Sequence, residues 1–271
     1  MKPHNYCVQI MRNGKWEIAG VHGWEDGGHG AFYETYDEAE KQKFLLEYLC
    51  NNDLKISVHQ KLILDLCGGT GEWSRPYRDA GYNVIVVDPH AYKEGAGGSA
   101  FTGTSDMDVK NKTLHTPGYF GTPVHGILAS PPCTQFASSG ARWWKEKSIN
   151  RPHLLREAVC VVHSCKTMID NHKPKWWAME NPVGRLKDYM GPHRLTFDPC
   201  DYAELADDPH SNQYTKKTCL WGKFEEPEKH YMEPVLGSLM WKKYGGKSKK
   251  TKRMRSATPQ GFAKAFFTAN K

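Results

Sequence analysis

No apolar run in this 271-residue chain approaches the roughly 20 residues that cross a bilayer, which excludes a membrane-spanning protein of the helical kind. The first ten residues are polar and hold no signal-peptide core, which argues against export and for a cytoplasmic protein. The eight cysteines (7, 50, 67, 133, 160, 165, 200 and 219) never form the CxxC pairs of a zinc site. They are too sparse for a disulfide scaffold, so reduced thiols and no metal are expected. Cys160, His163 and Cys165 lie close in sequence but point in different directions on a helix, which favours a structural role over a metal site. Internal repeats are missing, and so is low complexity outside one basic tract.

That tract carries the charge. Residues 242–255, "KKYGGKSKKTKRMR", hold eight of the 37 Lys and Arg and no acid; the other 29 are balanced by 30 Asp and Glu. The net charge of +7 therefore belongs to one segment. Such a segment is either a solvated loop or a surface that tracks phosphates, with Lys249, Lys250, Lys252, Arg253 and Arg255 as the contacts.

The first 55 residues read as a separate small module. In "YCVQIMRNGKWEIAG" two strand-like runs flank Asn13-Gly14, a two-residue hairpin signature. "AFYETY" suggests a third strand, and "DEAEKQKFLLEYLC" a helix opened by acids. A βββα unit results, which either binds DNA or covers one end of the main domain. From residue 61 the pattern alternates. "KLILDL" (61–66), "NVIVVD" (83–88), "GILAS" (126–130) and "WWAME" (176–180) are short apolar runs, the last preceded by a helix over 152–171 with Pro152 at its first position. Apolar strands separated by helices indicate an α/β fold with a mostly parallel sheet covered on both faces. Ligands collect at the carboxyl ends of such strands, and every candidate site residue lies there.

"LDLCGGTGEWS" puts Gly68, Gly69 and Gly71 after the first strand, where backbone can approach a ligand closely. Asp88 ends the next strand and suits the hydroxyls of a ribose; Asp106 follows a less regular strand and suits an adenine amino group. Each acid could be a strand cap. Together, and with no P-loop lysine after the glycines, they fit an adenosine ligand without a pyrophosphate, and S-adenosyl-L-methionine is the best candidate. Cys133 follows the third apolar run and Glu180 ends the fourth, 47 residues on, a distance suited to one crossover helix. Adjacent parallel strands would then bring a thiol and a carboxyl to one sheet edge. That pair suits attack on a cytosine ring: the thiolate adds to carbon 6, and a protonated carboxyl hydrogen-bonds ring nitrogen 3.

"SPPCTQF" (130–136), "MENPVGRL" (179–186) and the glycine turn resemble the motifs of DNA cytosine-5 methyltransferases, notably compact bacterial and phage members, over roughly residues 61–271. The resemblance implies a class I S-adenosylmethionine-dependent methyltransferase fold (Rossmann-like), Cys133 as nucleophile with Glu180 as its partner, and a target base flipped from double-stranded DNA. It places Asp65, Cys67, Gly68, Gly69, Gly71, Trp73, Asp88, Asp106 and Ser130 on the cofactor side. Departures are plain. Cys67 stands where the family has Phe, leaving Trp73 as the candidate aromatic contact to the cofactor, and Glu-Asn-Pro replaces Glu-Asn-Val. The family's Gln-x-Arg-x-Arg is matched at best by "QYTKKTCLWG", so that Lys216 either touches the target nucleotide or is ordinary surface. "RSATPQGFAKAFFTAN" resembles the closing helix that returns to the cofactor, although its phenylalanines suit a plain core equally.

The expected organisation is a module over 1–55, a catalytic domain over 56–222, a short basic target-recognition segment over 223–255 and a closing helix over 256–271. The expected state is a monomer in a bacterial or phage-infected cell, with a partner restriction nuclease left open. Four rivals stand beside this reading: an amino-group DNA methyltransferase, a cytosine-5 enzyme acting on RNA or a free nucleotide, one using a carboxylated donor, and a silent DNA-binding protein.

Overall fold

The structure is a computed structural model that describes residues 6–12, 15–18, 32–33, 39, 43, 56–88, 124–239 and 249–271, with backbone only for the strands before residue 61 and for residues 249, 250, 252 and 253. Among them no helix is long and apolar enough to cross a membrane.

Strands β1 (Tyr6–Arg12) and β2 (Lys15–Ile18) pair antiparallel and close with Arg12 opposite Lys15, as the Asn-Gly hairpin signature requires. β3 (Phe32–Tyr33) pairs with β1, and Ala39 and Lys43 are helical. The fourth member was not expected. β4 (Ile56–Gln60) pairs with β1 over five residues, so a stretch assigned to the catalytic domain belongs to the small sheet. Only Lys61 separates it from the next strand.

The main sheet holds β5 (Leu62–Leu66), β6 (Asn83–Val87), β7 (Val124–Ala129), β8 (Trp176–Pro182), β9 (Leu195–Phe197) and β10 (Thr218–Lys223). Their order is β6-β5-β7-β8-β10-β9, and the short helices α5 (Lys187–Met190) and α6 (Pro209–Asn212) lie between β8 and β10 in the chain. β6, β5, β7 and β8 run parallel; β10 is antiparallel to both β8 and β9. The chain leaves β5 for one neighbour, β6, and later returns to its other side as β7. The β5/β7 boundary is therefore the topological switch point, outside whose strand ends an open parallel sheet ordinarily holds its ligand.

Both faces are buried, which explains the unbroken apolar runs. On one face Leu62, Leu64, Leu66, Ile127 and Met179 meet helix α4 (Pro152–His172) through Val161, Cys165 and Met168. Pro152 opens that helix, and Lys173 closes it in a left-handed conformation (φ 46°). On the other face Ile63, Val86, Leu128 and Ala178 meet α1 (Arg75–Asp79) and the last helix, α8 (Gln260–Ala269). Phe262 and Phe266 of α8 are almost fully buried, each worth about 1.5–3 kcal/mol of burial. Asn270 then fastens the chain end, donating to the Glu225 carbonyl (2.9 Å) and accepting from the Glu225 N–H (2.8 Å).

The expected recognition segment divides in two. Residues 224–238 are a strap without regular structure, laid along 200–215 through bonds such as Met232 N–H to the Cys200 carbonyl (2.9 Å) and Leu236 N–H to the Gln213 carbonyl (3.0 Å). With Glu225, Glu226, Glu228 and Glu233 it is acidic, so it belongs to the packing of the domain and not to a phosphate surface. The basic tract ends as helix α7 (Lys249–Ser256).

Candidate active site

At the end of β5 the chain turns sharply. Cys67 takes a left-handed conformation (φ 56°), costly for a residue with a Cβ, while its N–H bonds the Val87 carbonyl at 2.8 Å. Gly68 is required by space: a Cβ there would lie 2.4 Å from the Asp65 carboxyl carbon. The Gly69 N–H donates to Asp88 Oδ2 (3.2 Å), and the Gly71 carbonyl accepts from the Ser74 hydroxyl (3.3 Å). Asp65 is fully buried beneath this turn. Its Oδ2 accepts a 2.6 Å bond from Ser74, and its Oδ1 has no partner among the described residues. Burial pushes its pKa up to about 7; the Ser74 bond resists, and the nearby Asp88 charge adds to the rise.

Across the switch point, Ser130 continues β7 by donating to the Leu66 carbonyl (2.9 Å). Pro131 and Pro132 follow, and the Cys133 carbonyl then accepts from the N–H groups of Phe136 (3.0 Å) and Ala137 (2.8 Å). The cysteine thus sits at the start of a closed turn. It is exposed, whereas Phe136 is completely buried.

Glu180 lies on β8, opposite Leu220 of β10 in the antiparallel register. Its loop and the Cys133 loop are stitched together. Asn181 Nδ2 donates to the Pro131 carbonyl (2.9 Å). The Ser138 N–H (3.1 Å) and hydroxyl (2.8 Å) both donate to the Val183 carbonyl, and the Arg185 N–H to the Phe136 carbonyl (2.7 Å). Ala137 and Gly184 form an antiparallel bridge so close that a Cβ on Gly184 would lie 1.9 Å from the Phe136 carbonyl oxygen.

Electrostatics bring four expected residues together. Although Cys133 is exposed at the surface, the crowding of its loop strips part of its hydration and raises its pKa; the Glu180 charge raises it further, while Lys216 and Arg255 pull it down. Burial likewise raises the Glu180 pKa, and Lys216 again opposes. The backbone of Lys216 is fixed by a bond from its N–H to Asp198 Oδ1 (2.7 Å). Its Nζ donates to the Arg255 carbonyl (2.7 Å), near the end of α7. Lys216 thus bonds the basic helix while its charge acts on the thiol and the carboxyl.

Other expectations fare differently. Trp73, expected as the aromatic contact to the cofactor, faces the core: it is 2% exposed and packed edge-on to Phe266 (centroids 5.5 Å apart), with Phe262 tilted beside it. Cys67 is half-buried against the α4-side core. Asp106 lies outside the described residues, as do the side chains of Lys249, Lys250, Lys252 and Arg253, although their backbone is helical. Sequence reading overlooked Ser74 and Asn181, although both stand inside motifs it singled out.

No protein-family model and no curated protein matches the chain. Among solved structures it is similar to a protein encoded within an E. coli prophage whose own assignment as a DNA modification methyltransferase is provisional. Identity is 15% and the TM-score 0.39, over 60% of this chain and 46% of that one. The chain therefore spans less than half the length of that neighbour, and the reading of the site rests on its own geometry.

Proposed function

We propose that the protein transfers a methyl group from S-adenosyl-L-methionine to carbon 5 of cytosine in DNA, through a covalent adduct at Cys133, on a class I methyltransferase fold. The observation that carries this reading is the stitching of the Cys133 and Glu180 loops, with Lys216 acting on both side chains.

The glycine turn fits the cofactor. Gly69 has open space where a Cβ would lie, Asp88 presents a carboxylate at the end of β6, and buried Asp65 keeps one oxygen unpartnered for a donor. Asp65 and Asp88 would hold the adenosine and amino-acid parts, and the bound cofactor would supply an electrophilic methyl on sulfur. The chain's residues would do the rest. The Cys133 thiolate forms a bond to carbon 6, and protonated Glu180 hydrogen-bonds nitrogen 3 and stabilises the charge that develops on the ring. Carbon 5 becomes nucleophilic and takes the methyl. Loss of the carbon 5 proton to a base and departure of the thiolate restore the ring. Burial keeps Glu180 protonated to higher pH than an ordinary glutamate, as this role needs. The buried state of Phe136 supports the thiol over an amino-group mechanism, in which the first aromatic after Pro-Pro would stack on the base.

The test is the intact mass of the protein after reaction with S-adenosylmethionine and duplexes containing 5-fluorocytosine, which blocks the final elimination. A methylated adduct lost in Cys133→Ala is expected. An adduct that survives Cys133→Ala, or none at all with cofactor and DNA both bound, would overturn the mechanism.

A further inference from the structure

Beside the Cys133 turn stands a surface that neither the adduct nor the basic helix uses. Helix α2 (Ser138–Ala141) runs through Arg142 and Trp143 into α3 (Trp144–Asn150). Trp143 is 51% exposed, although a residue of that size is normally buried. The Arg142 guanidinium lies over its ring, 5.2 Å from the centroid, and no described aromatic ring packs on it. The neighbouring Trp144 is clamped. Its indole N–H donates to the Gln135 carbonyl, Arg185 stacks over it at 4.5 Å, and its ring meets Phe136 and the exposed Tyr189 at 6.1 and 5.9 Å. Trp144 thus anchors the unit to the residues that follow Cys133, and Trp143 is held outward.

The charge of this surface is one-sided. Residues 138–151 and 183–190 hold six Lys or Arg and two acids. Both acids are engaged, Glu146 by Arg151 (3.1 Å) and Asp188 by Arg185 (2.9 Å). Arg142, Lys145 and Lys187 face no described acid and are exposed. A docking surface for an ordinary protein partner would not need this excess. An exposed ring, backed by a guanidinium and ringed by cations, matches how proteins hold unpaired nucleotides: the ring takes a base face and the cations take the backbone.

We infer that Arg142–Trp143 is a stacking platform for an unpaired base flanking the target, so that the protein prefers locally melted or single-stranded DNA to intact duplex. The inference rests on the proposed nucleic-acid substrate and specifies its state. A base inside a duplex has both faces covered and offers nothing to Trp143. A melted step beside the target offers a face, and it also relieves the cost of extruding the reacting base.

The experiment compares equilibrium binding of three labelled DNAs of one sequence: duplex, the same duplex with a three-nucleotide bubble at the target cytosine, and single strand. The bubble and single strand should bind the unmodified protein on the order of tenfold more tightly than the duplex. Trp143→Ala should erase that ratio with little change in duplex affinity, and Trp143→Phe, which keeps a ring, should retain most of it. Because Trp143 is exposed, an unchanged thermal melting curve is expected for both variants. An equal ratio in the unmodified protein and in Trp143→Ala overturns the platform, and points to a protein partner for this face. 5-Fluorocytosine trapping on the same DNAs separates the two claims. Trapping with an unaltered ratio leaves the methyl-transfer reading standing and removes the platform, whereas no binding to any of the three DNAs removes both.

Discussion

Lys216 acts on two groups that need opposite protonation states. In the proposed mechanism Cys133 must lose its proton to attack, and Glu180 must keep one to assist. Burial raises both pKa values, and Lys216 lowers both. The lysine therefore promotes the thiolate at some cost to the acid, and the working pH lies where the two fractions overlap. Lys216→Met withdraws a cation from both anions, so both limbs of the kcat/KM profile should move to higher pH, and the rate at neutral pH should fall as less thiolate forms. Lys216→Arg keeps the charge and should leave the limbs nearly in place. If Lys216 served only to fasten α7 through the Arg255 carbonyl, Lys216→Met would lower the rate without moving either limb. The pH profile of single-turnover methylation decides between these outcomes.

At the scale of elements, the site is two strand-end loops locked to each other, and Asn181 is the buried part of that lock. It is completely buried, and its bond to the Pro131 carbonyl joins the residue after Glu180 to a residue two before Cys133. Asn181→Ala should destabilise the fold by about 1–3 kcal/mol, the cost of a buried carbonyl left without a donor. It should also slow the chemical step by on the order of a hundredfold, since a displacement near 1 Å is that costly to reacting groups. Cofactor affinity should hold, because the glycine turn lies across the switch point. Urea denaturation and single-turnover rates check this; an unchanged rate with lowered stability would show that the loops keep their register without Asn181. Such locks were not legible in the sequence. The strands β5 to β8 were, because strands buried on both faces need unbroken apolar runs, and α4 was, because Pro152 marks its start. Backbone bonds between loops leave no periodic trace, and β4 is short and half polar. The core packing of Trp73 was not legible because an aromatic after a glycine turn reads alike whether it faces a ligand or the core. The strap over 224–238 misled because its position after β10 hid the acidic composition that sets it apart from the basic tract.

For the whole molecule, two buried groups near opposite ends of the sheet set opposing pH dependences of stability. Burial pushes the Asp65 pKa up from 3.8 to about 7 and the His125 pKa down from 6.5 to about 3, with the Lys61 charge adding to the latter. Between about pH 3.8 and 7, native Asp65 holds a proton that the unfolded chain has released, so its contribution to stability is present at low pH and declines as pH rises. Between about pH 3 and 6.5, unfolded His125 holds a proton that the native state excludes, so stability falls as pH falls. From about pH 4.5 to 6 the two slopes oppose each other, each near one proton, or about 1.4 kcal/mol per pH unit. The protein alone should therefore show a flatter stability profile there than either group by itself would give. Asp65→Asn removes the declining slope and should make stability climb with pH by about 1.4 kcal/mol per unit relative to the parent. His125→Phe removes the rising slope and should tilt the profile by the same amount in the other direction. Urea unfolding at half-unit pH intervals measures both. Parallel profiles for the parent and the two variants would mean that neither group holds its shifted pKa in the folded state. Opposite tilts would show that the acid beneath the glycine turn and the histidine at the far end of the sheet offset each other across the domain.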